Sequence, residues 1–403
     1  MRSIFLPAFA RVVPALLIAG HSLVSAQNAA PVVAVPYYAP SHFMQGLHRY
    51  GTAPAAAGFA EQAAALAPAL DRLCSSSAAT ADAAAPAHAR DKGRPAPVPA
   101  PSSGDAASAA AQALRNTPPA AHEGTPSPAL DEARARWAVA VQAWERLAAV
   151  AVGPLIERRS LRTLDFTPPR PALIERAVKA QAVGAAAMEK IGAPAKGLPA
   201  LEWLLWTQPV APHSPACRYA AEVAADIALE AAALAAAFEA TAAREWDEAA
   251  ASAAMAEAIN QWLGGLERLR WQDLERPLEA AGDGGRNAPQ FPRIASGLSA
   301  ASWSAQWQAL RALALQSQAT APHPGEGLVT IETYLRGRGL NAPADALRRA
   351  VLKADPPLQG LSVKAPERLA SAAQALAALG RVVQEQVAPA LEVSIGFSDA
   401  DGD

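Results

Sequence analysis

Apolar residues recur every three to four positions along most of this 403-residue chain, which is the spacing of one face of an α-helix. The clearest stripe comprises Trp137, Val141 and Trp144, within a predicted helix over 130–150. Strand-like alternation is confined to Val32–Val35 and a short run near the end of the chain. The pattern therefore predicts an all-α protein. Further helices are predicted over 42–51, 55–73, 171–191, 217–246, 247–270, 299–318, 328–337, 343–354 and 365–388.

One segment departs from this pattern, because Gly197–Trp206 is apolar on every side of the helix that it would form. Its only charged residue is Glu202, which shares a helical face with Pro199 and Trp206. A carboxylate in such surroundings has to be paired, hydrogen-bonded, protonated or bound to a ligand. Two interpretations stay open: Glu202 is a structural ion-pair partner, or it belongs to a ligand site.

The first 26 residues have the layout of a secretory signal peptide. Arg2 and Arg11 precede an apolar stretch, Val12–Gly20. Small residues at 24–26 fit a cleavage site before Gln27. A short membrane anchor is the alternative. After this segment no apolar run is long enough to span a membrane. We therefore expect an exported protein of the periplasm or cell envelope.

Composition divides the rest of the chain into four further parts. Residues 75–128 consist mainly of Ala, Ser, Pro, Gly and Thr and contain no aromatic residue, so they cannot bury enough apolar area to fold. We predict a disordered insert there. It separates an N-terminal helical segment over 27–74 from a larger helical domain over 129–395. The acidic tail over 396–403 is predicted to be solvated.

Charge and cysteine content limit the partners and the compartment. The formal net charge is −2 at pH 7 and the chain has no basic run, which argues against nucleic-acid binding. Export would bring the two cysteines, Cys74 and Cys217, into an oxidising compartment. One disulfide between them is predicted, and two free buried thiols are the alternative.

The Gly197–Glu202 segment resembles the Gly-x-His-x-x-Glu signature of the imelysin-like family of bacterial cell-envelope proteins. The Glu leads into a Leu-Leu-Trp run as in the family, but Pro199 stands where the signature has its His. Further similarity lies in Arg134–Glu145, Leu164–Arg170 and Phe291–Trp303. The resemblance implies two helical-bundle-like halves that pack together, with the signature where they meet. The motif residues carried over are Gly197, Pro199, Glu202 and Trp203.

Members of that family are associated with iron or other metals, and some are classed as peptidases. A zinc peptidase typically needs two His on one helical face plus a third ligand, and many serine hydrolases need a Gly-x-Ser-x-Gly turn. The chain has neither a His-Glu-x-x-His motif nor that turn. Because the signature His is also replaced, the residues argue against peptidase activity.

The leading hypothesis is a non-enzymatic binding or accessory protein linked to iron or haem uptake. Its partners would be iron or haem, or an envelope transport component. The alternatives are a metal-dependent peptidase of the imelysin type and a structural envelope protein without a ligand. Glu202 is the candidate metal ligand for iron or another divalent metal, since carboxylates suit hard cations. The polar residues predicted to join it are Glu145, Asp165, Arg158 and Arg162.

Overall fold

The computed structural model describes residues 35–76, 127–282, 288–318 and 320–396. Every regular element in these ranges is helical, so the predicted all-α fold is confirmed. The predictions for the signal peptide, for nearly all of the 75–128 insert and for the acidic tail concern residues outside these ranges. No helix within the described ranges is long and apolar enough to cross a membrane.

Three helices follow one another at the start of the described chain: α1 (Pro40–Gly46), α2 (Ala53–Ala64) and α3 (Leu66–Ser75). A π-helical stretch, Leu47–Thr52, joins α1 to α2. The sequence predicted a gap between helices at Pro54, but this proline is the second residue of α2. The π-helical stretch runs directly into α2, so the proline does not separate two helices.

The helix predicted over 130–150 is α4 (Pro128–Ala148), and its stripe of tryptophan and valine side chains is fully buried. The stretch predicted as one helix over 171–191 is broken, because the backbone turns through positive φ at Gln181 and Gly184. The short helices between α4 and the next long helix are α5 (Pro154–Glu157), α6 (Ser160–Leu164), α7 (Pro171–Ala180), α8 (Ala185–Met188) and α9 (Gly197–Glu202), which continues as a π-helical stretch, Trp203–Thr207.

The first bundle is formed by α2, α3, α4 and the long helix α10 (Pro215–Ala243). Phe59 of α2 contacts Trp144 of α4, with ring centroids 5.3 Å apart. A disulfide between Cys74 and Cys217 joins the end of α3 to the start of α10. The short helix α9 packs against both α10 and α4 and thus belongs to the same bundle.

The second bundle is built on α11 (Glu248–Glu267), which continues as a π-helical stretch, Arg268–Glu275. The carboxylate of Asp247 caps α11, since it accepts the N–H of Ala250 at 2.9 Å. The helices that follow are α12 (Arg276–Gly282), α13 (Ser299–Ala314), α14 (Ile331–Gly337), α15 (Asn341–Leu358), α16 (Pro366–Val382) and, after a π-helical stretch at Val383–Val387, α17 (Ala388–Ala390). Helices α13 and α16 pack against α11, and α15 packs against both of them.

The two bundles meet where α4 packs against α13. Gly265 of α11 lies so close to the carbonyl oxygen of Ala149 that a Cβ would overlap it. Arg268 donates to the carbonyls of Ala148 and Ala149, at 2.5 and 3.1 Å. These carbonyls lie at the end of α4, where no intrahelical partner is available. The predicted arrangement of two packed bundles is therefore confirmed, and the candidate site lies beside this junction.

Candidate ligand site at the junction of the bundles

All six residues of α9 are buried. Gly197 begins the helix with a φ of +78°, and a Cβ at this position would lie 2.5 Å from the carbonyl oxygen of Leu164. Trp137 of α4 donates its indole N–H to the carbonyl of Leu198 at 3.1 Å. Position 197 thus requires glycine, and these contacts fix the helix that carries Glu202.

Glu202 reaches from α9 to the turn that precedes α13. Its Oε1 accepts the backbone N–H of Ser296 at 2.9 Å, and only 7% of the residue is exposed. Pro199 is buried in the first turn of the same helix, where its missing N–H breaks no helical hydrogen bond. Its ring offers no lone pair to a metal. Glu202 therefore joins the two bundles through a hydrogen bond to the backbone.

Arg293, a residue outside the sequence-predicted set, is the centre of the buried charge. Its Nη2 lies 2.6 Å from Oδ1 of Asp165, and its Nε lies 3.3 Å from Oε1 of Glu145. Only 2% of its side chain is exposed. Burial alone would lower the pKa of this guanidinium, but the carboxylates of Asp165, Glu145 and Glu202 together raise the pKa above its ordinary value. Arg293 is therefore a permanent cation that holds two predicted acids together.

Gln306 of α13 completes the cluster. Its Nε2 donates to Oε2 of Glu145 at 3.0 Å and to Oδ2 of Asp273 at 2.8 Å. Two carboxylates that face one amide fix the orientation of that amide, because only its nitrogen can donate. Its Oε1 is buried and has no hydrogen-bond partner among the residues that the structure describes. The amide therefore presents one unused acceptor.

Two of these additional residues carried a sequence signal. Gln306 follows Trp303 by three positions and precedes Leu310 by four, so it lies on the apolar stripe of its helix. Asp273 likewise follows Leu269 by four positions. A polar residue on an apolar stripe predicts a buried polar contact. Arg293 had no such signal, because it lies in a turn-rich segment.

Burial also changes the protonation of the acids that Gln306 binds. Desolvation raises the pKa of Glu145 to about 7, against the charge of Arg293 and with a further rise from Asp165 and Asp273. Desolvation raises the pKa of Asp273 to about 6, against the hydrogen bond from Gln306. The cluster therefore exchanges protons near neutral pH, where an ordinary carboxyl group is ionised.

A cavity of about 590 Å³ opens beside the cluster, with walls from both bundles. Glu145, Asp273 and Gln306 are buried residues of its lining. Its apolar wall includes Leu155, Ile156, Leu161 and Phe166. Its arginines are Arg159, Arg162, Arg268, Arg276 and Arg293. The volume lies within the usual range of small-molecule sites, so the junction combines a buried polar cluster with room for a ligand.

Comparison with known families decides what kind of protein has this junction. The family model described as Imelysin (Peptidase_M75) matches residues 100–402, about three quarters of the chain. This chain belongs to the imelysin family. The resemblance carried by the Gly197–Trp206 segment is thereby confirmed. No curated protein matches this imelysin-family chain.

Two solved structures share the fold of this imelysin. An imelysin-like protein from Psychrobacter arcticum 273-4 is 17% identical and has a TM-score of 0.64, over 91% of this chain and 100% of that one. A protein named as an iron-regulated protein A precursor, from Parabacteroides distasonis ATCC 8503, is 12% identical and has a TM-score of 0.61. That match covers 87% of this chain and 95% of the other. At these identities the likeness shows the fold alone.

The structure places the candidate site residues of this imelysin in different surroundings. Glu145, Asp165 and Glu202 lie around Arg293, and Arg162 lines the cavity. Arg158 lies elsewhere, because its guanidinium is directed toward α10, where Nη2 is 2.6 Å from Oε2 of Glu230. The motif residue Trp203 is partly buried and packs against the apolar core.

The donor set of the junction is partly engaged by the protein itself. Glu145 and Asp165 are bound by Arg293, the second carboxylate oxygen of Asp165 accepts the indole N–H of Trp144 at 2.8 Å, and Asp273 is bound by Gln306. Within the described ranges, no group of three or more His, Cys, Asp or Glu side chains is arranged to hold a metal ion. The carboxylates suit a cation in chemistry, but most of their oxygens already accept hydrogen bonds from the protein.

Proposed function

We propose that this imelysin-family chain is a non-enzymatic binding protein that holds an iron-containing ligand in the cavity between the bundles. The observation that carries the proposal is the cluster of Glu145, Asp165 and Asp273, of which Glu145 and Asp273 are buried, beside a cavity of about 590 Å³. Carboxylate oxygens suit hard cations. The solved relative that is named as iron-regulated supports the link to iron.

The proposal includes a location and a partner. A signal peptide over 1–26 would export the chain to the periplasm, where it would act as an accessory protein of iron uptake and pass its ligand to an envelope transport component. Haem fits the cavity less well than other iron species. None of the described residues in the cavity lining is His, Cys, Met or Tyr, which are the usual axial ligands of haem iron.

One observation favours the peptidase alternative. The pKa of Glu145 is raised to about 7, and a general base works best when its pKa lies near the working pH. Two observations count against that role. Both oxygens of Glu145 accept hydrogen bonds, from Arg293 and Gln306, and Pro199 cannot ligate the metal that would activate a water molecule. The binding function is therefore the better supported one.

Titration of the purified chain with ferrous and ferric salts tests the proposal, with tryptophan emission as the signal. Trp144 lines the cavity, so iron bound there should quench its emission. The double variant Glu145→Gln with Asp273→Asn should lose the response. The control Asp355→Asn changes a comparable hydrogen bond from Trp307, outside the cavity lining, and should keep the response.

Two further measurements separate the alternatives. Elemental analysis of protein recovered from the periplasm measures bound iron. Iron that is present in wild type and absent from the double variant would support the binding function. Hydrolysis of a peptide library that disappears in Glu145→Gln would establish the peptidase instead. If neither iron salts nor ferric citrate change the emission, the binding proposal falls and a structural role takes its place.

A further inference from the structure

We propose that the ligand of this cavity is an organic polycarboxylate that carries iron as its complex, and that Arg159, Arg162 and Arg276 bind its carboxylates. The inference rests on the proposed function, because it names the chemical class of the ligand at the same site. It assigns a binding role to three exposed arginines that lie outside the family signature.

The charge of the cavity lining favours an anion. Its five arginines outnumber its three acids, which leaves a formal surplus of two positive charges. Arg268 is engaged by carbonyls of the first bundle, and Arg293 is engaged by buried carboxylates. The other three arginines have no ion pair or side-chain hydrogen bond with any residue that the structure describes. Guanidinium groups bind carboxylates in a planar, two-pronged geometry, so a ligand with several carboxylates matches them.

The three free arginines are placed to contact one ligand from two sides. Arg159 precedes α6 and Arg162 lies within it, on the side of the first bundle, whereas Arg276 is the first residue of α12 in the second bundle. All three are exposed, whereas Glu145, Asp273 and Gln306 of the cavity lining are buried. A ligand that binds all three arginines therefore lies across the mouth of the cavity and contacts both bundles.

The apolar wall of the cavity adds a second feature to the recognition. Leu155, Ile156 and Leu161 line the same cavity as the arginines and would cover the carbon skeleton of the ligand. Gln306 takes no part, because its Oε1 is enclosed by the protein and its Nε2 is held by two acids. A polycarboxylate such as citrate thus matches the arginines and the apolar wall together.

The same ligand class explains how iron would enter a site whose acids are partly engaged. Arg293 and Gln306 already bind the carboxylates of Glu145, Asp165 and Asp273. Iron bound by a polycarboxylate brings most of its oxygen donors with it, so the protein has to recognise mainly the anion. Recognition then depends on the arginines more than on the acids.

Isothermal titration calorimetry of the purified chain with iron-free citrate and with ferric citrate tests this inference. We expect wild type to bind both forms. The site variant is Arg159→Ala with Arg162→Ala and Arg276→Ala. It should bind iron-free citrate and ferric citrate at least tenfold more weakly than wild type. The matched control removes three exposed arginines that do not line the cavity and should bind like wild type. It consists of Arg136→Ala, Arg176→Ala and Arg218→Ala.

The outcomes distinguish this inference from the proposed function. Thermal unfolding followed by circular dichroism checks that both triple variants fold, as their exposed positions predict. Equal weakening in both triple variants, or no heat from either form of citrate, would overturn the inference. If iron salts then still quench tryptophan emission in a manner that depends on Glu145 and Asp273, the proposed function stands alone. If that quenching is absent too, both fall.

Discussion

The described residues include two triads in which an indole N–H and an arginine bind the same aspartate. The junction triad consists of Trp144, Asp165 and Arg293, with the indole nitrogen 2.8 Å from Oδ2 and the guanidinium Nη2 2.6 Å from Oδ1. Its arginine comes from a distant turn, has a side chain that is 2% exposed, and also binds Glu145.

The peripheral triad lies in the second bundle and consists of Trp307, Asp355 and Arg311. The indole nitrogen is 3.0 Å from Oδ1 of the aspartate, and the arginine Nε is 2.8 Å from Oδ2. Here the arginine follows the tryptophan by one helical turn, and its side chain is 37% exposed. Water therefore solvates the guanidinium of Arg311.

The comparison shows that similar hydrogen bonds have different consequences in different surroundings. The peripheral triad ties two helices together at the surface, where ion pairs contribute little free energy. The junction triad keeps its guanidinium out of water, next to further acids and a cavity. The free energy that this triad contributes to folding therefore depends on the neighbouring charges, and a bound ligand can change that contribution.

Replacing the arginine of each triad should give the largest difference in the free energy of unfolding between the two triads. Arg293→Met leaves Asp165 and Glu145 without their common counter-charge, and we expect the free energy of unfolding to fall by about 3–5 kcal/mol. Arg311→Met removes a partly exposed pair and should cost about 1 kcal/mol or less. Urea unfolding followed by circular dichroism measures both values. Equal losses would show that burial does not distinguish the triads.

The next effect is a pH dependence at the junction, which acts beside that of His48, whose pKa burial lowers to about 4. The pKa of Glu145 is raised from 4.5 to about 7 by folding, so the folded state binds more protons than the unfolded state between these values. Its stabilising contribution is fully present below pH 4.5 and is lost as the pH rises through 7. We expect the contribution of Glu145 to fall by on the order of 2 kcal/mol between pH 5 and pH 8.

Glu145→Gln should remove the part of the pH dependence that Glu145 contributes and leave that of Asp273, whose pKa is raised to about 6. Urea unfolding of wild type and variant across the same pH range measures the difference. Arg311→Met is the control, because it removes a charge that does not titrate there and should keep the wild-type slope. An unchanged slope in Glu145→Gln would assign the pH dependence to other groups.

Changing the aspartate of each triad should have a smaller effect, because both asparagine variants keep an acceptor for the indole. In Asp165→Asn, Arg293 still binds Glu145, and we expect a loss of about 1.5 kcal/mol. Asp355→Asn should cost less than about 1 kcal/mol. Thermal unfolding of the two variants side by side tests the order, and a larger loss for Asp355→Asn would reverse the comparison.

The smallest expected effect on stability comes from relieving the positive φ of Arg159, and it can be measured separately from the effect on citrate binding. Arg159 has a φ of +55°, which costs a residue with a Cβ about 1 kcal/mol. Arg159→Gly should therefore stabilise the fold by up to about 1 kcal/mol while it weakens citrate binding several-fold. The control Gln181→Gly relieves a φ of +49° outside the cavity lining and should stabilise without changing citrate binding. Thermal unfolding and calorimetry measure both quantities, and unchanged citrate binding in Arg159→Gly would remove Arg159 from the site.

Local periodicity made much of the fold predictable from sequence. The stripe of Trp137 and Trp144 predicted α4 to within two residues at each end, since burial of one helical face is a local property. The burial of Glu202 was equally predictable, because its apolar neighbours leave no solvent face. The break at Gln181 was missed, because a left-handed backbone at a non-glycine residue leaves no periodic signal. The break at Gly184 was missed because a single glycine within a helical pattern does not by itself end a helix.

The candidate site was only partly predictable, because its central residue acts over long distances. Arg293 binds Glu145 and Asp165 across 148 and 128 positions, which no local pattern records. The same limit applies to the neighbouring arginines. Arg158 and Arg159 are adjacent in sequence, yet only the tertiary structure places the first on Glu230 and the second in the cavity lining.

The disulfide between Cys74 and Cys217 has a consequence for the covalent topology of the chain. It joins residues 143 positions apart, and the whole of 77–126 lies inside the ring that it closes. A protease that cut the chain once within 77–126 would leave both ends attached to the same molecule through the sulfur bridge. The N-terminal helices α1–α3 would remain tethered to the rest of the molecule as a two-chain protein, separable only after reduction.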